Sequence, residues 1–130
     1  MSIWKQKSAC EDKPWGGVVH ISTPFGMKGK IIYLNEGQRT SLKYYNHMDQ
    51  ALYCLSGELV VTAPNEYEFG DYISREKGAK FNITPGEVLL IQHTNPYRIT
   101  AKEDSVLVEV LLGARSGGGK VMIEDDYGRV

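Results

Sequence analysis

Gly37-Gln-Arg39-Thr-Ser41-Leu-Lys43-Tyr-Tyr45-Asn-His47-Met-Asp-Gln50-Ala-Leu-Tyr-Cys-Leu-Ser-Gly57 is the stretch on which the fold of this chain turns. It reads as two strands around a short loop at Met48-Asp49. Strand side chains alternate between two faces, so Arg39, Ser41, Lys43, Tyr45 and His47 fall on one face. Cationic, hydroxyl and imidazole groups in one row imply a face that meets water or lines a ligand cavity. The second half, Gln50 to Leu55, is mostly apolar and stops at Ser56-Gly57.

Short strands separated by turns continue in both directions. Val18–Ser22 and Lys30–Leu34 precede the central stretch, with Lys13-Pro-Trp-Gly-Gly17 as a turn cluster. Glu58–Thr62, Lys80–Ile83, Val88–Gln92, Tyr97–Thr100 and Ser105–Leu112 follow it, divided by Thr84-Pro-Gly-Glu87, His93-Thr-Asn-Pro96 and Glu103-Asp104. Between them, Ala63 to Gly78 is a polar excursion. Strands at this spacing, with no convincing helical period, indicate an all-β sandwich or barrel. The 130 residues suit a single domain, 1-130, with 1-17 as an N-terminal arm and 116-130 as a polar C-terminal tail.

Composition excludes several function classes. A net charge of -1 gives no basic excess for nucleic acid. No apolar run approaches membrane-spanning length, and the first residues lack the apolar core of a signal peptide. The two cysteines, Cys10 and Cys54, have no metal-ligand spacing. A cytoplasmic protein with reduced thiols is the expectation, and Cys54 is expected to be a small buried hydrophobe.

The motif Gly37…Tyr45-Asn-His47…Gln50…Gly57, followed by Pro85-Gly-Glu-Val88 and Asn95-Pro-Tyr-Arg98, resembles the paired motifs of the cupin superfamily. Cupins are small jelly-roll β-barrels. Within it, the chain is similar to the cupin module of type II phosphomannose isomerases and mannose-1-phosphate guanylyltransferases. Lys13-Pro-Trp-Gly16, Gly37-Gln-Arg-Thr-Ser-Leu42 and Glu124-Asp-Asp-Tyr-Gly-Arg129 carry that likeness in the family's order. The resemblance implies a jelly-roll barrel that acts on, or binds, a phosphorylated or nucleotide-linked sugar. A second resemblance, carried by Tyr45-Asn-His47 and Ala51-Leu-Tyr-Cys-Leu-Ser-Gly-Glu58, is to ectoine synthase, a cyclase of the same fold.

A metal-binding cupin supplies two histidines, an acid and a further histidine. The resemblance puts Tyr45, His47, Gln50 and Tyr97 at those places, so one ligand of the set remains. Phenols with an unperturbed pKa near 10 and a neutral amide hold a divalent cation poorly. No cofactor is therefore expected, although a rearranged site with His47, His93 and a tyrosinate would take a weakly bound metal. The bland reading of His93 is an exposed turn residue, and His20 is read as an ordinary strand residue.

The expected cavity is lined by Arg39, Ser41, Lys43, Tyr45, His47, Gln50 and Tyr97, with Arg98 turned the other way by alternation. Arg39 and Lys43 would hold a phosphate or carboxylate. Tyr45, Gln50 and Tyr97 would take sugar hydroxyls, and His47 or Glu109 would serve as base for a metal-independent isomerase or epimerase. The alternative is a barrel that binds the sugar without turning it over. A homodimer is also expected, with Ile3, Trp4 and Trp15 packing on the partner.

Overall fold

Gly37 to Gly57 does not fold as a hairpin. In the computed structural model, which describes residues 3–22, 28–63, 67–68, 71–72, 79–113 and 119–129, Leu42–Tyr45 and Met48–Ser56 are strands of different sheets. Asn46-His47 form a bend that carries the chain from one sheet to the other. The turn thus lies two residues before the loop expected at Met48-Asp49. At that corner Asn46 N–H donates to the Gly119 carbonyl and Thr94 N–H to the Tyr45 carbonyl, which ends the strand at Tyr45.

The strands are β1 (Ala9–Lys13), β2 (Gly16–Ser22), β3 (Lys28–Leu34), β4 (Leu42–Tyr45), β5 (Met48–Ser56), β6 (Leu59–Ala63), β7 (Tyr67–Glu68), β8 (Asp71–Tyr72), β9 (Ala79–Ile83), β10 (Val88–Ile91), β11 (Arg98–Ala101), β12 (Ser105–Gly113) and β13 (Lys120–Glu124). The larger sheet has six strands in the order β1-β2-β3-β12-β5-β10. The second layer combines β11-β6-β9 with β13-β4. Paired amide bonds between Lys43 and Tyr97, and a bridge from Arg39 to Thr100, join its two parts. Every pairing is antiparallel. The remainder of the 63–78 excursion and residues 114–118 lie outside the described residues.

Both ends of the chain join the sheets. The expected N-terminal arm contributes β1 on the edge of the larger sheet, and the expected C-terminal tail contributes β13 on β4. Thr84-Pro-Gly-Glu87 is a tight turn in which Glu87 N–H returns to the Thr84 carbonyl. Its Gly86 has φ +92, the left-handed value that the third position of a Pro-Gly turn requires.

Alternation sorts the side chains. Val18, Ile32, Leu107 and Cys54 stand in one row across β2, β3, β12 and β5 and face inward. With Trp15, Leu34, Leu52, Leu59, Val61, Tyr97 and Ile99 they form the main core between the layers. Trp15 is 5% exposed in that core, so it is not the partner-facing side chain expected of it. Cys54 is buried as expected. Among the described residues there is no helix long and apolar enough to cross a membrane.

Candidate functional site

One register step from the core row, the inward face of the larger sheet turns polar. His20 pairs with Lys30, and Lys30 with Glu109. Facing this row from the second layer are Ser41 and Lys43 of the β4 segment, with Lys120 and Met122 of β13 beside them. The walls enclose a cavity of about 120 Å³, closed at its mouth by Lys13, Glu11 and Arg129. An adjoining hollow of about 190 Å³ shares His20, Lys30 and Lys120 and adds Lys28, Tyr45 and Met48.

The charge balance of this cavity is one-sided. Glu11 is already engaged, 2.9 Å from Lys13 Nζ and 3.0 Å from His20 Nε2. Those hydrogen bonds hold its carboxyl down at about 2. Arg129 is paired with Asp125 at 2.7 Å and lies over the Tyr127 ring. Lys30 donates to the Tyr45 hydroxyl at 3.4 Å.

Lys43 is the deepest cation, 8% exposed, with its ammonium 4.9 Å from the centre of the Tyr97 ring. Burial pulls its pKa down to about 7, and Lys120, Lys30 and Arg129 push the same way, against the pull of Glu109. Burial, with Lys30 and Lys13 nearby, also lowers the Lys120 ammonium.

Glu109 is the acid inside the cavity, 2% exposed, and its Oε1 has no hydrogen-bond partner among the described residues. A buried, unpartnered carboxylate oxygen is expensive unless something donates to it. The Tyr97 hydroxyl makes no hydrogen bond of ordinary geometry either, but it stands close enough to the Glu109 carboxyl to interact with it. Burial first, then the Glu109 charge, holds it well above its ordinary pKa, so Tyr97 is a neutral donor rather than a tyrosinate.

The residues singled out from the sequence divide as follows. Ser41, Lys43 and Tyr45 meet at the cavity. Arg39 shares their face by alternation but lies beyond the rim, in a two-pronged ion pair with Asp126. His47 does not line the cavity, because the bend at 46–47 breaks the alternation that would have turned it inward. Gln50 is buried, with Nε2 donating to the Met48 carbonyl at 2.7 Å and Oε1 unpartnered. Tyr97 belongs to the core, beneath Lys43. Arg98 points away from the cavity, as alternation requires, and bonds Thr40 and Glu124.

Sequence reasoning missed Lys13, Lys30, Lys120 and Arg129. Lys30 carried a usable signal, since it shares a strand face with the apolar Ile32 and Leu34. Arg129 carried one too, as the end of the Glu124–Arg129 motif, while Lys120 carried none because its segment reads as a polar tail.

A divalent cation does not fit these residues. At the four family positions stand a phenol already paired with Lys30, an exposed imidazole, a tethered amide and a core phenol. An ammonium, Lys43, stands over that core phenol and would repel a metal. His93 pairs with Asp49 on an exposed turn. Among the described residues no group of three His, Cys, Asp or Glu side chains converges.

No protein-family model matches the chain, and no curated protein does. Solved structures do. The capsular polysaccharide assembling protein CapF from Staphylococcus aureus superposes with a TM-score of 0.71 at 12% identity, covering 94% of this chain and 33% of CapF. Oxalate decarboxylase from Bacillus subtilis gives 0.69 at 17% identity, over 88% of this chain and 30% of that one. KdgF from Halomonas sp. gives 0.63 at 16% identity, over 83% of this chain and 88% of KdgF. The chain thus spans about a third of the length of CapF. These likenesses, with the two-layer strand order, identify the fold as the cupin jelly roll expected from the sequence.

Proposed function

We propose that this barrel binds a phosphorylated sugar in the cavity between β3, β12, β4 and β13, and interconverts its carbonyl and adjacent hydroxyl without a metal. The observation that carries the reading is the excess of cations around one buried acid. Lys30, Lys43 and Lys120 surround a space in which Glu109 is the sole carboxylate not already committed to a neighbour among the described residues. Burying cations without counter-charge is unfavourable, and a dianionic phosphate offsets it. Lys30, Lys120 and Arg129 hold the anion near the mouth. Deeper in, Ser41 donates to or accepts from sugar hydroxyls, and Glu109 accepts from them.

Of the two bases the sequence offered, His47 and Glu109, Glu109 is the one that lines the cavity. Glu109 lines the wall, where a carbon-bound proton next to a carbonyl would be within reach of its carboxylate. CapF, named for capsular polysaccharide assembly, lends the sugar reading a fold-level analogy and no more.

Titration calorimetry with mannose 6-phosphate, fructose 6-phosphate, mannose and inorganic phosphate tests binding. The phosphorylated sugars should bind more tightly than phosphate, and mannose should not bind. Proton NMR in D2O tests turnover through loss of the signal at the carbon next to the carbonyl. A Glu109→Gln variant that binds but no longer exchanges supports the isomerase. Binding without exchange in the parent chain leaves the non-catalytic barrel, a reading favoured by His47 lying outside the cavity.

A further inference from the structure

The phosphorylated-sugar reading leaves Lys43 without a task that suits its position. Its amine needs no partner among the described residues: no hydrogen bond or ion pair reaches it, and its contact is the face of the Tyr97 ring. It lines the cavity together with Glu109. The other cations stand nearer the mouth, which leaves Lys43 at the inner end of any ligand they hold. We infer that Lys43 is a nucleophile that forms an imine with the open-chain carbonyl of an anionic sugar or short aldehyde phosphate.

Desolvation and neighbouring cations are the two devices that keep a lysine neutral enough to attack a carbonyl, and both act here. Lys43 is buried and has Lys30, Lys120 and Arg129 as cationic neighbours, so at neutral pH a large share is free amine. The groups that face it from every packed element are Glu109 of β12, Lys30 of β3, Lys120 of β13, Arg129 beyond it, and Tyr97.

The step balances without a further reagent. The nitrogen lone pair of Lys43 forms the new N–C bond as the carbonyl pair moves to oxygen. Glu109 relays one N–H proton to that oxygen, giving a carbinolamine. The second N–H proton follows as the C–O bond breaks, so oxygen leaves as water and nitrogen closes the C=N bond. Amine plus carbonyl gives imine plus one water. With nitrogen then protonated, the C–H next to the imine carbon is acidified, and Glu109 is placed to take that proton.

Glyceraldehyde 3-phosphate with borohydride is the test, read by intact mass and peptide mapping. The expected result is one reduced adduct per chain, on Lys43, absent from Lys43→Arg and Lys43→Met. Neutral glyceraldehyde should label at least tenfold less. Thermal unfolding of both variants establishes that they fold. No adduct at saturating probe, or labelling unchanged in the folded variants, overturns the inference. Glycerol 3-phosphate, which has no carbonyl, separates the two readings. If it binds while the aldehyde leaves no adduct, the anion site stands and the imine falls; if it does not bind, the phosphate reading itself falls.

Discussion

Lys43 and Tyr97 are joined at two levels. Their backbones exchange amide bonds of 3.1 and 2.9 Å, and the Lys43 ammonium sits 4.9 Å above the Tyr97 ring. The backbone pair is what fuses β4 to β11, so the same register that closes the second layer fixes the cation inside the barrel. The ring face offers a partial counter-charge that asks for no hydrogen bond. It holds Lys43 in place while leaving its protons for a ligand.

Anion binding should therefore draw protons from solvent. With its pKa lowered to about 7, Lys43 is largely neutral at pH 8 in the empty barrel. Inorganic phosphate, which offers the amine no carbonyl, restores the charged form by supplying the missing counter-charge, whereas an aldehyde phosphate held at the mouth leaves the amine free. Binding should weaken as pH rises above 7, because each binding event must then protonate the amine. Calorimetry at pH 8 in buffers of different ionisation enthalpy should show net uptake, and Lys43→Met should remove it. Equal heats in both buffers would contradict this.

The same shift makes the empty fold pH-sensitive. Because folding depresses the lysine's pKa, the unfolded chain binds more protons between about 7 and 10.5, and the stability of the native state rises with pH across that window. Below 7 the penalty is fully present. Urea unfolding at pH 6.5 and 9.5 should give the higher midpoint at 9.5, with the difference reduced in Lys43→Met to what Lys120 supplies.

Arg39 and His47 should prove dispensable for binding. Arg39 pairs with Asp126 at a site where its side chain is 42% exposed, and His47 is exposed at the corner between sheets. Arg39→Ala should lower stability by about 1 kcal/mol or less, as for other exposed ion pairs. Ligand affinity should change by less than twofold in either variant, whereas Lys30→Ala should lower it at least tenfold by calorimetry.

The fold was legible because its signals are local. Turn chemistry at Lys13–Gly17, Thr84–Glu87 and Glu103-Asp104, with apolar alternation between, marks strands without any knowledge of their partners. The site was half legible. Ser41, Lys43 and Tyr45 follow from period two, and that rule holds only while the strand does. It failed at His47 because Asn46-His47 cross between sheets, and a crossing depends on which strand each half pairs with, not on its own residues. Arg39 failed for a different reason: its position is on the right face, but Asp126, far away in sequence, captures it at the rim. Lys120 was hidden because Lys120-Val-Met-Ile-Glu124 becomes a strand only through its pairing with β4.

That dependence of β13 on its neighbours is testable through Arg98. Arg98 is 6% exposed and ties three segments together: Nε donates to the Thr40 carbonyl at 2.8 Å, Nη1 to Glu124 Oε1 at 2.8 Å, and Nη2 to the Glu124 carbonyl at 3.3 Å. Arg98→Met leaves the Glu124 carboxylate, itself 19% exposed, without its guanidinium. The pair is part-buried and Glu124 keeps a further neighbour, so the loss should be about 2–3 kcal/mol, the range for a charge-assisted hydrogen bond. Removing both sides, in Arg98→Met with Glu124→Leu, should therefore recover most of the loss, a coupling of about 2 kcal/mol in a double-mutant cycle. Since β13 also carries Lys120 and leads to Arg129, the single variant should lose phosphate-ligand affinity along with stability, and the double variant should regain both. Urea denaturation and calorimetry on the set decide it. A single variant within 1 kcal/mol of the parent would mean that β13 is held to the barrel by its strand pairing with β4 alone.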